Sequence, residues 1–268
     1  MKKGLVSVLM GIYNCADTLE EAVDCIIAQT YKDWELIMCD DGSSDDTYAV
    51  AERICAKESR ARLIRNEKNT GLAKTLNHCL EYANGEFIAR MDGDDICDKY
   101  RFEKELAVLM NDKNAAVVSS SMYFYDENGV HGHIVNTERP SASDLLAHSP
   151  FCHAPCMMRT QALKKVGGYC GDDDVMRIED YDLWYRMYAQ GMYGVNIADE
   201  LYGMREDRNA FLRKRKYAYR INEYKLKVKI CKTFKLGIKG RIKAFKPLIV
   251  GLAPMWIYKI LHKRALKS

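Results

Sequence analysis

The chain is poor in proline, with five in 268 residues. It also has no apolar run approaching the roughly 20 residues that a membrane-spanning helix needs. Behind Met1-Lys2-Lys3, the stretch Leu5 to Met10 is too short for the apolar region of a secretory signal, so none is expected. No Gly-x-Gly-x-x-Gly follows that stretch, and there is no Gly-Lys-Ser/Thr loop, which disfavours dinucleotide dehydrogenases and P-loop enzymes. Nucleotidyltransferases are disfavoured too, because Gly11 to Asp17 contains no base to hold a triphosphate. Acid is nearly missing from the last quarter of the chain. From Arg208 to Ser268 stand nineteen of the 41 Lys/Arg but one of the 37 Asp/Glu, Glu223. The remaining 22 bases and 36 acids give a body near −14, against a tail near +18. Such segregation fits an acidic catalytic body carrying a basic surface element.

What is present suits one sizeable domain with a tail. Hydrophobic residues make up 48% of the chain, ample for a core. Cysteines such as Cys25, Cys39, Cys55 and Cys79 sit in apolar segments, as reduced thiols of a cytoplasmic protein would. Cys152-His153-Ala154-Pro155-Cys156 lacks the second ligand pair of a structural zinc site. The first half alternates strand and helix. Strands are expected at Leu5–Met10, Trp34–Cys39, Arg62–Arg65 and Phe87–Met91. Helices are expected from Thr18 to about Gln29, over Ala49–Ala56, and from Asn69-Thr70-Gly71 to Tyr82. Thr18 and Glu21 have the spacing of a capping box. Short loops between these elements imply an α/β fold with a mostly parallel, Rossmann-like sheet covered by helices on both faces. Ligands of such sheets bind beyond the carboxyl ends of the strands, where Tyr13-Asn14, Asp40-Asp41 and Asp92–Asp95 would converge.

Asp92-Gly93-Asp94-Asp95 sets three carboxylates at the mouth of a strand, where they repel one another unless a cation or polar ligand lies between them. A hard ion, Mg²⁺ or Mn²⁺, takes carboxylate oxygens together with those of a bound diphosphate. A solvated acidic loop is the ordinary alternative. Downstream, Glu179-Asp180 would open a helix, where the dipole favours ionised carboxyls. Helix capping is the plain reading, and a general base beside a cleft is the chemical one. Tyr181 and Trp184 are more often core or rim residues, although sugar rings also stack on such faces.

The motifs Tyr13-Asn14, Asp40-Asp41-Gly42-Ser43-x-Asp45-x-Thr47, Asn69-x-Gly71-Leu72-Ala73 and Met91-Asp92-Gly93-Asp94-Asp95 resemble, in order, those of family 2 glycosyltransferases. Gly167-Gly168-Tyr169 and Glu179-Asp180-Tyr181-Asp182-Leu183-Trp184 extend the resemblance, which covers roughly residues 4 to 210. It implies a GT-A fold over 1–210 and inverting transfer from a nucleotide-sugar, usually a UDP-sugar, with Mn²⁺ or Mg²⁺. On the matching positions, Ile12, Tyr13, Asn14, Asp41, Asn69, Gly71, Lys74, Asp92, Gly93 and Asp94 would bind the nucleotide-sugar. Among these, Tyr13 would lie against the base and Asp41 would hold its polar edge. Asp94 and Asp92 would hold the metal. Asp180 would be the base, supported by Glu179, with Trp184, His153 and Arg205 toward the acceptor or diphosphate. Two positions depart from the family pattern: Leu76 stands where many relatives carry Arg, and Glu206 where a diphosphate-contacting His would align. The segment Leu201–Asn209 looks like the subgroup of capsule and O-antigen synthesis, in which Arg205 or later bases would replace that histidine. A catalytically inactive nucleotide-binding scaffold, or a transferase using another nucleotide-sugar, is the alternative.

The tail, 211–268, alternates bases with apolar residues over Lys225–Lys246. It continues into a run of about twelve apolar residues carrying Trp256 and Tyr258, too short to span a bilayer that needs roughly 20. A basic amphipathic element of this kind lies on anionic lipid. That would make the protein peripheral on the inner face of the cell membrane, acting on a lipid-linked glycan acceptor. A packed pair of terminal helices is the alternative, and no nucleic-acid partner is expected.

Overall fold

A computed structural model describes residues 1–206 and 216–254. The basic Arg213-Lys214-Arg215 and the Trp256–Tyr258 segment lie outside the described residues.

The first ninety residues fold in the expected alternation: β1 (Lys2–Ile12), α1 (Leu19–Ile27), β2 (Trp34–Asp40), α2 (Thr47–Lys57), β3 (Ala61–Arg65), α3 (Leu72–Glu81) and β4 (Gly85–Arg90). These strands pair in parallel in the order β3-β2-β1-β4, with Val6 opposite both Trp34 and Phe87. Strand order reverses at β1, with β2 and β3 laid down on one side and β4 on the other, so the crevice between β1 and β4 lies at a switch point of the sheet. The capping box does not form. Thr18 Oγ1 instead donates to the carbonyls of Gly93 (3.0 Å) and Cys15 (3.3 Å), and Glu21 pairs with Arg205. Thr18 is thus used to hold the acidic turn against α1, which outweighs its local capping role.

Beyond β4 the sheet becomes mixed. β5 (Ile96–Cys97), α4 (Arg101–Asn111), β6 (Ala115–Asp126), β7 (Gly129–Ile134), β8 (Met157–Arg159), α5 (Thr160–Lys165), α6 (Glu179–Ala189) and β9 (Tyr193–Arg205) follow. β8 runs antiparallel between β4 and β6, while β9 lies parallel to β6 and pairs antiparallel with β5. Helices cover both faces. Val6, Val8 and Met10 pack with residues of α1, α2 and α4 such as Val23, Val50 and Phe102. On the other face, Leu9 and Ile37 join Leu76, Trp184 and Leu226.

Leu226 belongs to α7 (Tyr217–Thr233), the first helix of the basic tail. Leu226, Ile230 and Cys231 are buried in the same cluster as Trp184, so α7 is a structural member of the body. α8 (Gly237–Ala244) and α9 (Lys246–Leu252) follow it. They leave Ile238, Ile242, Ile249 and Leu252 exposed by 67–76%. Among the described residues no helix is long and apolar enough to cross a membrane.

Candidate active site

The carboxyl ends of β1 and β2 are bound to each other by turn chemistry. Gly42 has φ 73°, and a methyl there would come within 2.9 Å of the Asn69 backbone nitrogen, so the turn admits only glycine without displacement. Ser43 Oγ accepts from the Asn14 N–H (3.1 Å), and Asn14 Oδ1 accepts from the Ser44 N–H (2.9 Å). Thr47 Oγ1 accepts from the Cys15 N–H (2.8 Å), while Asp45 accepts the Thr47 N–H at 3.0 Å. Asp41 is buried and turns toward the loop before α3. Its carboxylate accepts from Asn66 Nδ2 (2.8 Å), from the Thr70 N–H and hydroxyl (2.9 Å each) and from the Gly71 N–H (2.9 Å). Burial by itself would raise the Asp41 pKa, but these bonds hold it below the ordinary carboxylate value.

The acidic turn is held from below and from the side. Gly93 packs so closely on β1 that a methyl would meet Cys15 Sγ at 2.9 Å and Ile12 Cγ2 at 3.0 Å. Tyr202 Oη accepts the Asp92 N–H (3.2 Å) and donates to Asp95 Oδ2 (2.8 Å). Arg205 donates its backbone N–H to Asp95 Oδ1 (2.8 Å) and its Nε to the Asp94 carbonyl (3.0 Å). Beneath the turn, the buried Arg90 guanidinium pairs with Asp92, and Arg101 donates to the Arg90 carbonyl (2.8 Å). Asp95 is therefore committed to the scaffold, whereas the Asp94 tip is exposed to the cleft. One ligand atom from each of Asp92, Asp94 and Asp95 lies within 4.8 Å of the others. The crowded cleft, and then the Asp92 charge, push the Asp94 carboxyl up to about 6. A hard divalent cation relieves that repulsion, and an all-carboxylate set fits Mg²⁺ or Mn²⁺.

Two clefts meet at this turn. The first, about 390 Å³, is lined by Tyr13, Asn14, Asp45, Asp92, Asp94 and Arg205. The second, about 500 Å³, is lined by Arg90, Asp92, Ser149, His153, Glu179 and Asp180. Asp92 belongs to both. Asp180 stands in the first turn of α6 and accepts from Ser149 Oγ (3.2 Å). Enclosure, then the Glu179 charge, raises its pKa, while Ser149 and Arg90 oppose the rise. His153 bonds Tyr169 Oη (3.0 Å); burial, then the Arg90 charge, keeps the imidazole neutral. Tyr169 is fixed from α3 by Asn77, which receives its N–H (2.9 Å) and donates to its carbonyl (2.8 Å).

The sequence-derived candidates fall into separate places. Tyr13, Asn14, Asp92, Gly93, Asp94 and Arg205 gather at the first cleft, and Glu179, Asp180 and His153 at the second. Ile12 is buried, its carbonyl accepting the Asp41 N–H at 2.9 Å. Asn69 is exposed and lines neither cleft. Gly71 precedes α3 with φ 88°. Lys74 is exposed, lies against Gly171 and lines neither cleft. Trp184 must be corrected as an acceptor contact: it is fully buried, edge-on to Phe151 and His153, because the apolar stripe of α6 faces the core. Sequence reasoning missed Arg90, Tyr202, and Tyr219 and Arg220 of α7. Only Arg90 left a signal, as the one base inside the apolar strand Phe87–Met91.

Known proteins place the chain in a family. Residues 7–167 match the model of Glycosyl transferase family 2. EpsE of Bacillus subtilis, which carries the name of a glycosyltransferase, is 41% identical over 260 residues, covering 97% of this chain and 93% of that one. Escherichia coli WfaP, named UDP-Glc:alpha-D-GlcNAc-diphosphoundecaprenol beta-1,3-glucosyltransferase, is 30% identical over 200 residues, or 74% and 76% of the two chains. Among solved structures, the mannosyltransferase PcManGT of Pyrobaculum calidifontis, in complex with GDP-Man and Mn²⁺, aligns with TM-score 0.68. It does so at 18% identity, over 97% of this chain and 79% of that one. The fold is that of the GT-A glycosyltransferases, with a mixed sheet and a helical C-terminal region. Motifs, clefts and relatives converge on one assignment: this chain is a glycosyltransferase and belongs to glycosyl transferase family 2.

Proposed function

We propose that the chain moves a hexose or N-acetylhexosamine from a UDP-sugar to a hydroxyl of a lipid-linked glycan, with inversion, in surface polysaccharide synthesis. The observation that carries this reading is the position of Asp92 on both clefts. A nucleotide-sugar in the first cleft would direct its anomeric carbon into the second, where Asp180 can take the proton of an attacking hydroxyl. Asp94 and Asp92 would hold Mn²⁺ or Mg²⁺; the metal, when bound, offsets charge on the departing diphosphate. Tyr13, half exposed in the first cleft, would stack on the base. Arg205 stands beside Asp94, where a cation can take the place of the absent histidine. Asp41 serves best as the fixed support of the loop over the base. Ser149, His153 and Glu179 would orient Asp180 and the acceptor. The lipid-linked acceptor is supported by WfaP's name, which specifies a diphosphoundecaprenol substrate. The exposed isoleucines of α8 and α9, interleaved with Lys239, Arg241, Lys243 and Lys246, suit an anionic membrane surface on the cytoplasmic side.

A thermal-shift panel of UDP, GDP, CMP, NAD and ATP, each with Mn²⁺ and with chelator, tests the assignment. UDP at 100-fold over its Kd should add about 2.7 kcal/mol, but only with metal. A response to GDP alone would replace the donor, and silence across the panel would remove the reading. For the membrane, full-length chain should sediment with phosphatidylglycerol vesicles, and Ile238→Ser with Ile249→Ser should reduce the bound fraction. Equal sedimentation of that double variant would rule out α8–α9 as the contact.

A further inference from the structure

One wall of the second cleft takes no part in the proton transfer. It is formed by His148, Arg177 and, from α7, Tyr219, Arg220 and Glu223. Its one acid, Glu223, is occupied, and so is the neighbouring Glu179. Glu223 accepts from Arg220 Nη1 (3.0 Å) and Lys227 Nζ (2.9 Å), and Glu179 accepts the Arg177 backbone N–H (2.9 Å). Lys227 is 1% exposed, and its Nζ also donates to the Ala147 carbonyl at 3.3 Å. A buried ammonium behind two arginines leaves this side of the cleft cationic, in contrast to the acids around Asp94. Arg177 adopts φ 68°, a conformation that costs a non-glycine residue energy and that clusters at ligand sites.

The same wall adjoins the apolar ridge of the tail. α9 crosses α7 so closely that a methyl on Gly251 would stand 2.9 Å from the Tyr217 ring and 3.1 Å from Arg220 Cγ. Lys246 at the start of α9 lies near enough to His148 to help lower its pKa, after burial and Lys227. The cleft thus carries a carboxylate, Asp180, and two arginines, and the helix packed on Arg220 bears the exposed Ile249 and Leu252. A sugar, a diphosphate and a hydrocarbon chain call for that set of groups.

We propose that Arg177 and Arg220, with Lys227 behind them, bind the diphosphate of a polyprenyl-diphosphate-linked acceptor, and that its hydrocarbon leaves across α9. This deepens the reading of the second cleft as the acceptor side and rests on it. Guanidinium forks match phosphate oxygens in pairs, so the acceptor would be positioned by its phosphates while its sugar hydroxyl faces Asp180.

The test is a titration of full-length chain, saturated with UDP and Mn²⁺ to fill the donor cleft, with farnesyl diphosphate, farnesol and inorganic pyrophosphate. Farnesyl diphosphate should bind at least about tenfold more tightly than either of the others, a difference of about 1.4 kcal/mol. Arg177→Gln and Arg220→Gln should each weaken it about tenfold and leave the Kd for UDP unchanged; Arg220→Lys should recover part of the loss. Arg177 is exposed, so its variant keeps the test sound if Arg220→Gln folds poorly. Equal binding of farnesol, or wild-type affinity in both Gln variants, would overturn the proposal. Pyrophosphate binding as tightly as farnesyl diphosphate would mark a plain phosphate site and remove the lipid. If UDP does not bind, the donor reading fails, and the farnesyl diphosphate titration without nucleotide still decides this one.

Discussion

The two halves of the molecule build their clefts by different means. In the first half, Tyr13, Asn14, Asp45, Asp92 and Asp94 each follow their own strand by a few residues, and turn bonds such as Asn14 to Ser43 lock neighbouring loops together. In the second half, one cleft draws on Ser149, Asp180 and Arg220, carried by a loop, α6 and α7. Asp180 is reached by a hydroxyl 31 positions away, and the acidic turn is clamped by Tyr202, 107 positions from Asp95. A parallel βα unit puts its chemistry at one sheet edge by construction. A mixed sheet must bring its residues together by tertiary contact. The first half should therefore lose donor affinity when altered, and the second half acceptor affinity or turnover.

The largest effects should separate along that line. Asp180→Asn is expected to lose roughly 10²–10⁴-fold in transfer while keeping metal-dependent UDP binding, measured by radiolabelled sugar transfer beside calorimetry. Asp94→Asn should show the opposite emphasis, with UDP affinity falling and its dependence on Mn²⁺ lost. If Asp180→Asn transfers at the wild-type rate, the base is elsewhere and the contrast between halves collapses.

Stability changes should sharpen the same contrast. Asp41→Asn leaves buried N–H groups of the 66–71 loop without a full set of acceptors, so about 1–3 kcal/mol should be lost in urea unfolding at neutral pH. Because the folded Asp41 pKa is depressed, its contribution is present above the ordinary 3.8 and disappears as pH falls through the lower folded value. The gap between variant and wild type should therefore close in acid; a constant gap would mean the loss is one of packing. Gly93→Ala should cost about 1–3 kcal/mol by overpacking against Cys15 and Ile12.

These residues also mark how far the sequence could be read. Strand and helix alternation to Arg90 was legible, because short parallel units display their period and turn residues locally. The ordered motifs led to both clefts. Thr18 was misread, because its hydroxyl is drawn to Gly93, 75 residues away, which no local spacing reveals. Trp184 follows its core reading and not the acceptor role that the resemblance implied, because on an α6 buried along one side an aromatic beside the acidic pair faces inward. The tail's charge was visible, but not that α7 would enter the core through Leu226 and Ile230 and present Arg220 to the cleft. Composition describes a helix's average surface, whereas packing selects one face.

The smallest expected effect tests whether the second cleft tunes its base as well as holding it. Enclosure raises the Asp180 pKa, Glu179 adds to the rise and Ser149 opposes it. A base must be ionised to work, so transfer should fall as pH drops through this raised value, which places the acid limb above the ordinary aspartate range. Glu179→Gln removes a repelling charge and should move that limb to lower pH. Ser149→Ala removes a hydrogen bond to the carboxylate and should move it to higher pH. The two shifts, read from pH profiles of kcat/KM, are opposite in sign. A purely structural role for both residues would lower rates without displacing the limb, and displacement in one common direction would mean that neither acts on Asp180 through its charge.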